Sequence, residues 1–337
     1  MVTPEDLTTA AQPVVQLWRE DELQVLHALG KAARAKIYDD DDDFLDYLIF
    51  EQIYADRKKS TVKVKTAFDR IAELLPLSEV KDGVRIITDL YETVQHDLMR
   101  YSQTAHTGAI RTYQTCMTDA LADVDAIGRE AVLHDVVDVI ADTYAPVEEL
   151  TADGVRHSSM SAVAERTIIT GMNRAVAEVE IQAAREISGG LIEVSAHHGA
   201  RPTHQLWQGK VYAVDGPKKI GKVIYPDFIT STGYGTGAGL CGWNCRHSFW
   251  HYSGKRSYTD AQLERMRSAS AVIDGQTYTE YELTQKERYY NRQAKKYENR
   301  YMTKAGASIT DYDSLERMHL ARRKQRLIQQ TIDSIRN

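Results

Sequence analysis

The chain has 337 residues, of which 42% are apolar and 27% charged, with a net charge of −6, values that fit a soluble globular protein of about two domains. No apolar run reaches the roughly 18 residues that span a bilayer, so we do not expect a membrane protein. The start, MVTPEDLTTA, lacks the basic-then-apolar pattern of a signal peptide, so we do not expect a secreted precursor. Three cysteines are too few, and odd in number, for a disulfide framework, which favours a reducing compartment.

The charge is unevenly distributed. Residues 286–337 carry 13 Lys and Arg against 6 Asp and Glu, a net charge of +7, so the other 285 residues carry −13. A basic tail on an acidic body predicts an anionic partner, either nucleic acid or an acidic protein surface. The alternative is a solvated helix face whose charges pair within the chain.

Residues 1–188 are predicted to form a long helical region. In LWREDELQVLHALGKAARAKIY, apolar side chains recur at helical spacing: Leu17, Val25, Leu26, Leu29, Ala33 and Ile37. The sparse prolines are expected near helix ends: Pro4, Pro13, Pro76 and Pro146. The run Asp39 to Asp43 is expected to start a helix, where negative charge meets the positive end of the dipole; cation binding is the alternative.

The segment from Ser158 to Ile187 has the clearest helical pattern. Its apolar stripe consists of Met160, Ala164, Ile168, Met172, Val176, Val179, Ala183 and Ile187. Ser158 or Ser159 can cap its start, and Gly189-Gly190 can end it in a left-handed turn. We therefore predict an amphipathic helix of about eight turns that packs in a bundle.

Residues 189–258 are predicted to form a small β-rich module, because 12 of the 20 glycines lie between Gly189 and Gly254. LIEVSA and RHSFWHY have the composition of strands, and KVYAV and KVIYP are expected to form a hairpin around DGPKKIG. Alone, such a sheet is marginal, so it should pack on neighbouring helices.

Residues 259–337 are predicted to form a basic helical tail. Helices are expected to begin at YTDAQLERM, at Thr279 with Glu282 in capping-box spacing, and at Asp313 or Ser314. The overall fold class is therefore α+β and predominantly helical.

The segment GLCGWNCRHSFW, residues 239–250, combines residue types that bind metals. Cys241, Cys245 and His247 form the pattern C-x3-C-x-H, and an extended backbone would place Cys245 and His247 on the same face. A fourth ligand for zinc would come from a nearby histidine: His197, His198, His204 or His251. Otherwise, the cysteines are small buried apolar residues and the histidines bond locally.

Three kinds of catalytic site are also compatible with these residue types. A zinc-dependent hydrolase or nuclease would be centred on His204, Cys245 and His247. A separate histidine-centred nuclease would use His204, Asp215, Asp227, Arg246 and His247. A thiol nucleophile at Cys245 with Asn244 is disfavoured, because successive residues of a strand face opposite ways. STGYGTGAGL resembles a phosphate cradle but lacks the Lys-Ser/Thr ending of a P-loop.

A structural role requires the same residue types. The aromatic side chains would supply a small core: Trp207, Trp243, Phe249 and Trp250. Arg201 and Arg246 would hydrogen-bond loop carbonyls. We favour this interpretation, in which the polar residues brace one another and no reaction is catalysed.

The motifs SAHHGARPTHQLWQGKVY, YPDFITSTGYGTGAGLCGWNCRHSFW, RSYTDAQL and YELTQKERYYNRQ resemble minor capsid or head-morphogenesis proteins of tailed bacteriophages, in the Mu-F-like group. The resemblance is strong from about 154 to 300. The motif positions it covers are His197, Arg201, His204, Trp207, Gly209, Asn244, Cys245, Arg246 and His247. The chain departs from the usual pattern at His251-Tyr252, where relatives have a proline and an aromatic residue.

The resemblance implies a virion structural protein that acts near the portal during head assembly in the host cytoplasm, with portal and capsid proteins as partners. It implies no enzyme activity, cofactor, membrane or small-molecule substrate, and zinc is kept as the alternative. We expect the basic tail to contact packaged DNA or an acidic surface through Arg292, Lys295, Lys296, Arg322, Arg323 and Lys324.

Overall fold

A computed structural model describes residues 1–40, 60–151, 154–242 and 245–336. Long helices dominate it, which confirms the predicted α+β, predominantly helical class. The helices are α1 (Pro4–Asp39), α2 (60–72), α3 (Gly83–Leu121), α4 (Val124–Ile127), α5 (Arg129–Thr143), α6 (Met160–Ile187), α7 (Phe228–Thr232), α8 (Asp260–Ser268), α9 (Glu280–Gly306) and α10 (Tyr312–Arg336).

Short antiparallel strands fill the remaining regular structure. They are β1 (Val147–Thr151), β2 (Gly154–Ser158), β3 (Leu191–Val194), β4 (Val211–Ala213), β5 (Lys218–Ile220), β6 (Val223–Tyr225), β7 (Phe249–His251), β8 (Ser270–Ile273) and β9 (Gln276–Thr279). None of the helices in the described ranges is long and apolar enough to cross a membrane.

Helix α1 begins earlier than its apolar stripe suggests. Thr3 and Asp6 form a capping box, and Pro4 occupies the first turn, where its missing N–H is not needed. Pro13 lies inside the helix, so the prediction that it marks a helix end is wrong. Neighbouring buried side chains offset the lost hydrogen bond: Ala10, Ala11 and Val14.

The predicted acidic helix start falls partly on the end of α1. Asp39 is the last residue of the helix, and Asp40 follows as its C-cap in the left-handed conformation. Lys36 donates a hydrogen bond to Asp40 at 2.6 Å, so the first carboxylates of the run serve a helix end. The other three, Asp41 to Asp43, lie outside the described residues.

Helix α6 runs through the centre of the protein. Ser159 caps its start, and Gly189 and Gly190 end it with φ of 64° and 81°, as predicted. All but one of the predicted stripe residues are buried; Ile187, at the last turn, is 41% exposed. One side of α6 packs with α1, α2 and α3 in the largest core cluster, and its C-terminal half contributes Ala177 and Ala184 to the core of the sheet module.

The sheet of the module has the order β4-β3-β7, with all neighbours antiparallel. The predicted strands LIEVSA and RHSFWHY are therefore present as β3 and β7. The predicted pairing of KVYAV with KVIYP is wrong: β4, in KVYAV, pairs with β3. The strand in KVIYP, β6, forms a hairpin with β5, which lies inside the expected loop. Central β3 buries both faces, so it provides more apolar contact for β4 than an exposed hairpin partner offers.

The C-terminal helices pack against the N-terminal helices. Capping boxes at Thr259 and Thr279 start α8 and α9 as predicted. The start of α10 differs from the prediction, since Asp311 accepts a hydrogen bond from the Ser314 amide at 3.0 Å and neither Asp313 nor Ser314 is the cap. The division of the chain at residues 188 and 258 stays a prediction.

Candidate functional site

The polar cluster lies beside the sheet module, where loops before β4 and β7 meet the first turns of α9. His204 starts a short 3-10 turn (His204–Leu206), and Cys245 and His247 precede β7. Gly209 adopts a φ of 67° after this turn, and an added Cβ would lie 2.5 Å from Leu263 of α8. The backbone conformation therefore favours glycine at this position, and any larger residue would also have to displace the Leu263 side chain.

The side chains of His204, Cys245 and His247 converge in the buried part of the cluster. The Cys245 Sγ lies 3.8 Å from Nδ1 of His204 and 3.6 Å from Nδ1 of His247. The three side chains offer ligand atoms that all lie within 4.8 Å of one another, which is the spacing of a metal-binding group.

Carbonyl groups fix the orientation of both imidazole rings. The Nε2 of His204 donates to the Ala238 carbonyl at 3.1 Å, and the Nε2 of His247 donates to Oε1 of Gln208 at 3.1 Å. The backbone amide of His197 also donates to this oxygen, which fixes the orientation of the Gln208 amide. Both histidines thus carry their proton on Nε2 and direct the Nδ1 lone pair at Cys245.

Aromatic contacts surround these groups. The ring of His197 lies 4.2 Å from that of His247, between centroids, and Trp207 lies 4.6 Å from both His204 and His247. Burial lowers the pKa of His197 to about 4 and lowers the pKa values of His204 and His247. The three rings are therefore neutral at pH 7.

The cysteines also lie in an environment that disfavours charge. Burial raises the pKa of the Cys245 thiol and raises that of Cys241 well above its usual range. The Cys241 thiol donates to the His247 carbonyl at 3.6 Å, so it faces backbone. The metal-capable trio therefore contains His204 and not Cys241. A protein-only thiol nucleophile is disfavoured, because a low thiol pKa is what activates such a group.

A small cavity of about 30 Å³ opens beside the trio. Three guanidinium groups line it, from Arg201, Arg246 and Arg288, together with Tyr281 and Thr284 of α9. No carboxylate lines it in the part of the chain that the structure describes. The cavity is thus polar, basic and large enough for a water molecule.

The glycine-rich run serves backbone packing. An added Cβ on Gly239 would lie 2.0 Å from the carbonyl oxygen of Gly233, and one on Gly242 would lie 2.4 Å from that of Gly237. The same run supplies the Ala238 carbonyl that holds His204. Close backbone packing within this run therefore explains the glycines without a phosphate-binding role.

The structure brings together most of the predicted motif and separates the predicted nuclease set. Asp215 pairs with Arg185, and Asp227 caps α7 through the Thr230 amide. Neither carboxylate therefore joins the histidines. Asn244 and Trp243 lie outside the described residues.

Two functional neighbours were missed from the sequence, Gln208 and Glu280. Gln208 lies within SAHHGARPTHQLWQGKVY but was given no role there, and only the fold places its amide between His197 and His247. Glu280, the first residue of α9, accepts from His198 Nδ1 at 2.9 Å and from Arg336 at 2.7 Å. The Thr279 capping box predicted the helix start but carried no signal for this contact.

A buried carboxylate fastens the sheet to α6. Glu180 accepts hydrogen bonds from both the backbone amide and Nδ1 of His251, each at 2.8 Å. A proline at position 251 has no N–H and no imidazole, so it would make neither bond. The hydrogen bond to Glu180 raises the pKa of His251.

The predicted basic contact residues fall into two groups. Lys296 pairs with Asp142, and Arg322 pairs with Glu298, which also binds Arg19 of α1. The others include exposed cations on the outer faces of α9 and α10: Arg292, Arg323 and Lys324. Lys295 is half-buried. The tail thus combines charges that pair within the chain and charges that face solvent.

Comparison with known proteins supports the predicted resemblance. A protein named "Structural protein" from Lactococcus phage LL-H is 27% identical over 208 residues, which are 61% of this chain and 49% of that relative. The chain spans about half the length of this relative. No solved structure matches the chain.

The family comparison covers far more of the chain than the motifs did. The sequence profile described as "Phage minor capsid protein 2" matches residues 7–336, so the match extends through the helical body and the basic tail. The chain therefore belongs to the phage minor capsid protein 2 family and is a structural protein of the phage capsid.

Proposed function

We propose that this protein acts at or near the portal vertex during head assembly in the host cytoplasm, remains in the virion, and has no catalytic role. The match to the phage minor capsid protein 2 family over residues 7–336 is the observation that supports a structural role in the virion. The contacts of the polar cluster support a bracing role, because His204, His247 and Gln208 bond one another's loops.

The portal position is tested by cross-linking mass spectrometry on purified virions and on assembling heads. We expect this chain to cross-link to the portal protein. Cross-links confined to major capsid subunits away from the portal would contradict the position, and absence of the chain from virions would contradict the virion role. Hydrolytic turnover that a folded His247→Asn variant loses would contradict the non-catalytic assignment.

We further propose that the exposed face of α10 contacts packaged DNA. Three cations follow closely along this helix, Arg323, Lys324 and Arg326, and all are exposed. Arg323 and Arg326 make no ion pair with any residue that the structure describes, and Lys324 lies over the Tyr290 ring at 5.5 Å. Unpaired cations are free to replace the counterions of a phosphate backbone.

The experiment compares two triple variants in duplex DNA binding by fluorescence anisotropy at several salt concentrations. Replacement of Arg323, Lys324 and Arg326 by Gln removes the proposed contacts. If each contacts a phosphate, the slope of log affinity against log salt falls by about 2.7, since each phosphate contact contributes about 0.9.

A matched control replaces three exposed lysines of the sheet module by Gln: Lys219, Lys222 and Lys255. This variant has the same net charge as the first one but leaves α10 intact. Equal losses in both variants would show a non-specific charge effect and contradict the α10 assignment. If the parent protein does not bind duplex DNA, the proposed DNA contact is contradicted, and an acidic protein surface becomes the partner to test.

A further inference from the structure

The hydrogen-bond donors and acceptors within the buried trio do not balance. Both Nε2 atoms donate to carbonyl oxygens, so Nδ1 of His204 and Nδ1 of His247 are acceptors. Between them lies the single thiol of Cys245, which has one proton to donate. One Nδ1 lone pair is thus left without a donor from this thiol, and an unmatched buried lone pair is costly.

A cation placed between the three atoms satisfies both lone pairs. In a tetrahedral zinc site, with Zn–S near 2.3 Å and Zn–N near 2.0–2.1 Å, neighbouring sulfur and nitrogen ligands lie about 3.6 Å apart. The Cys245 Sγ lies 3.6 Å and 3.8 Å from the two nitrogens. Both sulfur-to-nitrogen distances therefore match those of such a site.

The surrounding contacts match those of metal-bound histidines. Histidine ligands generally donate the N–H of their other ring nitrogen to a carbonyl or carboxylate, which fixes the tautomer and the ring. The Ala238 carbonyl and the Gln208 amide oxygen perform this role for His204 and His247. Imidazole and thiolate ligands suit zinc, whereas magnesium and calcium prefer oxygen ligands.

An unpartnered nitrogen indicates what completes the coordination. His197 Nδ1 donates to the His198 carbonyl at 2.7 Å, so its Nε2 carries a lone pair, and this buried atom has no hydrogen-bond partner among the residues that the structure describes. His197 lines the same cavity as His204 and His247. A water in this cavity of about 30 Å³ can act as the fourth ligand and donate a hydrogen bond to His197.

We propose that His204 Nδ1, Cys245 Sγ and His247 Nδ1 bind one zinc ion, with a water from the arginine-lined cavity in the fourth position. Binding exchanges the thiol proton for the metal: the S–H bond breaks, the Zn–S bond forms, and one proton leaves to solvent. The ion then links the turn after β3 to the segment before β7. This proposal is independent of the portal and DNA assignments.

The test uses the full-length chain. We expect elemental analysis of the purified protein to find about one zinc per chain. After removal of metal by a chelator, titration with CoCl2 should produce a thiolate-to-cobalt charge-transfer band and the visible bands of tetrahedral cobalt, saturating at one ion. ZnCl2 should abolish both, and in weak buffer each zinc should release one proton.

The three cysteines provide matched variants. Cys245→Ser should lose the charge-transfer band, and Cys241→Ser and Cys116→Ser should keep it, with folding of each checked by circular dichroism. Should Cys245→Ser fail to fold, the parent's melting temperature with and without ZnCl2 decides, because an ion that binds only the folded chain raises it. A metal-free parent without cobalt bands or a zinc-dependent shift would overturn the proposal, as would a band lost in folded Cys241→Ser and kept in Cys245→Ser.

Discussion

Two glycines allow α1 and α9 to cross in direct backbone contact. A Cβ added to Gly30 of α1 would lie 1.9 Å from the Thr303 carbonyl oxygen, and one added to Gly306 of α9 would lie 1.9 Å from that of His27. We predict that Gly30→Ala and Gly306→Ala each destabilise the protein, because the obstructing atoms are backbone and cannot rotate away.

The magnitude follows from the distance that the helices must separate. Ordinary contact starts at 3.4 Å, so a carbonyl now at 1.9 Å must withdraw by the difference, 1.5 Å. This movement loosens the buried packing of Leu29 and Ala33 against Ala307. Overpacking costs about 1–3 kcal/mol, and the better helix propensity of alanine returns up to about 1 kcal/mol. We therefore expect each variant to lose about 1–2 kcal/mol.

The assay is urea unfolding followed by far-ultraviolet circular dichroism. Lys31→Ala, an exposed change on the same helix, is the control and should stay within about 0.5 kcal/mol of the parent. The double variant should lose less than the sum of the two single losses, because one separation relieves both contacts. Single variants as stable as the parent would refute this close crossing.

The remaining predictions concern individual side chains of the sheet module and the tail. The hydrogen bond to Glu180 raises the pKa of His251. The stabilisation that protonated His251 gives the folded protein is therefore fully present below its unfolded pKa, near 6.5, and is lost as pH rises through its folded pKa. The urea stability gap between the parent and His251→Asn should thus be larger at pH 6 than at pH 8; a gap that widens with pH would contradict this sign. Phe228→Ala removes a ring that is 1% exposed and 5.0 Å from those of Tyr234 and Phe249, so we expect a loss of about 3–5 kcal/mol in urea unfolding, and a loss below about 1 kcal/mol would be inconsistent with this core. Arg300 pairs with Asp142 at a partly exposed position. A double-mutant cycle of Arg300→Gln and Asp142→Asn should therefore give a coupling energy below about 1 kcal/mol. A larger coupling energy would contradict the view that water screens this ion pair.

Local signals predicted the elements that depend on nearby residues. The stripe of α6, the Ser159 cap and the glycines that end the helix all lie within one segment, so periodicity and capping suffice to locate them. The hairpin of β8 and β9 was missed although its signal was present. Asp274 and Gly275 both have positive φ, of 51° and 79°, as an Asp-Gly hairpin turn requires.

The site was only partly predictable, because its contacts join residues that are distant in sequence. The histidines and Cys245 were recognised as a group, yet their partners come from the glycine run and from Gln208. The trio of His204, Cys245 and His247 was named as one alternative, whereas the C-x3-C-x-H pattern included Cys241. Cys241 has a positive φ of 58°, where the backbone reverses, and its thiol faces the His247 carbonyl. A pattern such as C-x3-C-x-H contains no information about this backbone reversal.

Helix α9 has a mechanical consequence. Its 27 residues extend about 40 Å at about 1.5 Å per residue. At one end Glu280 binds His198 of the sheet module, and at the other Lys304 binds Asp138 of α5. A pull on either region passes along an unbroken helix of peptide hydrogen bonds, so tension between the two regions would strain the anchoring side chains before it bent the helix.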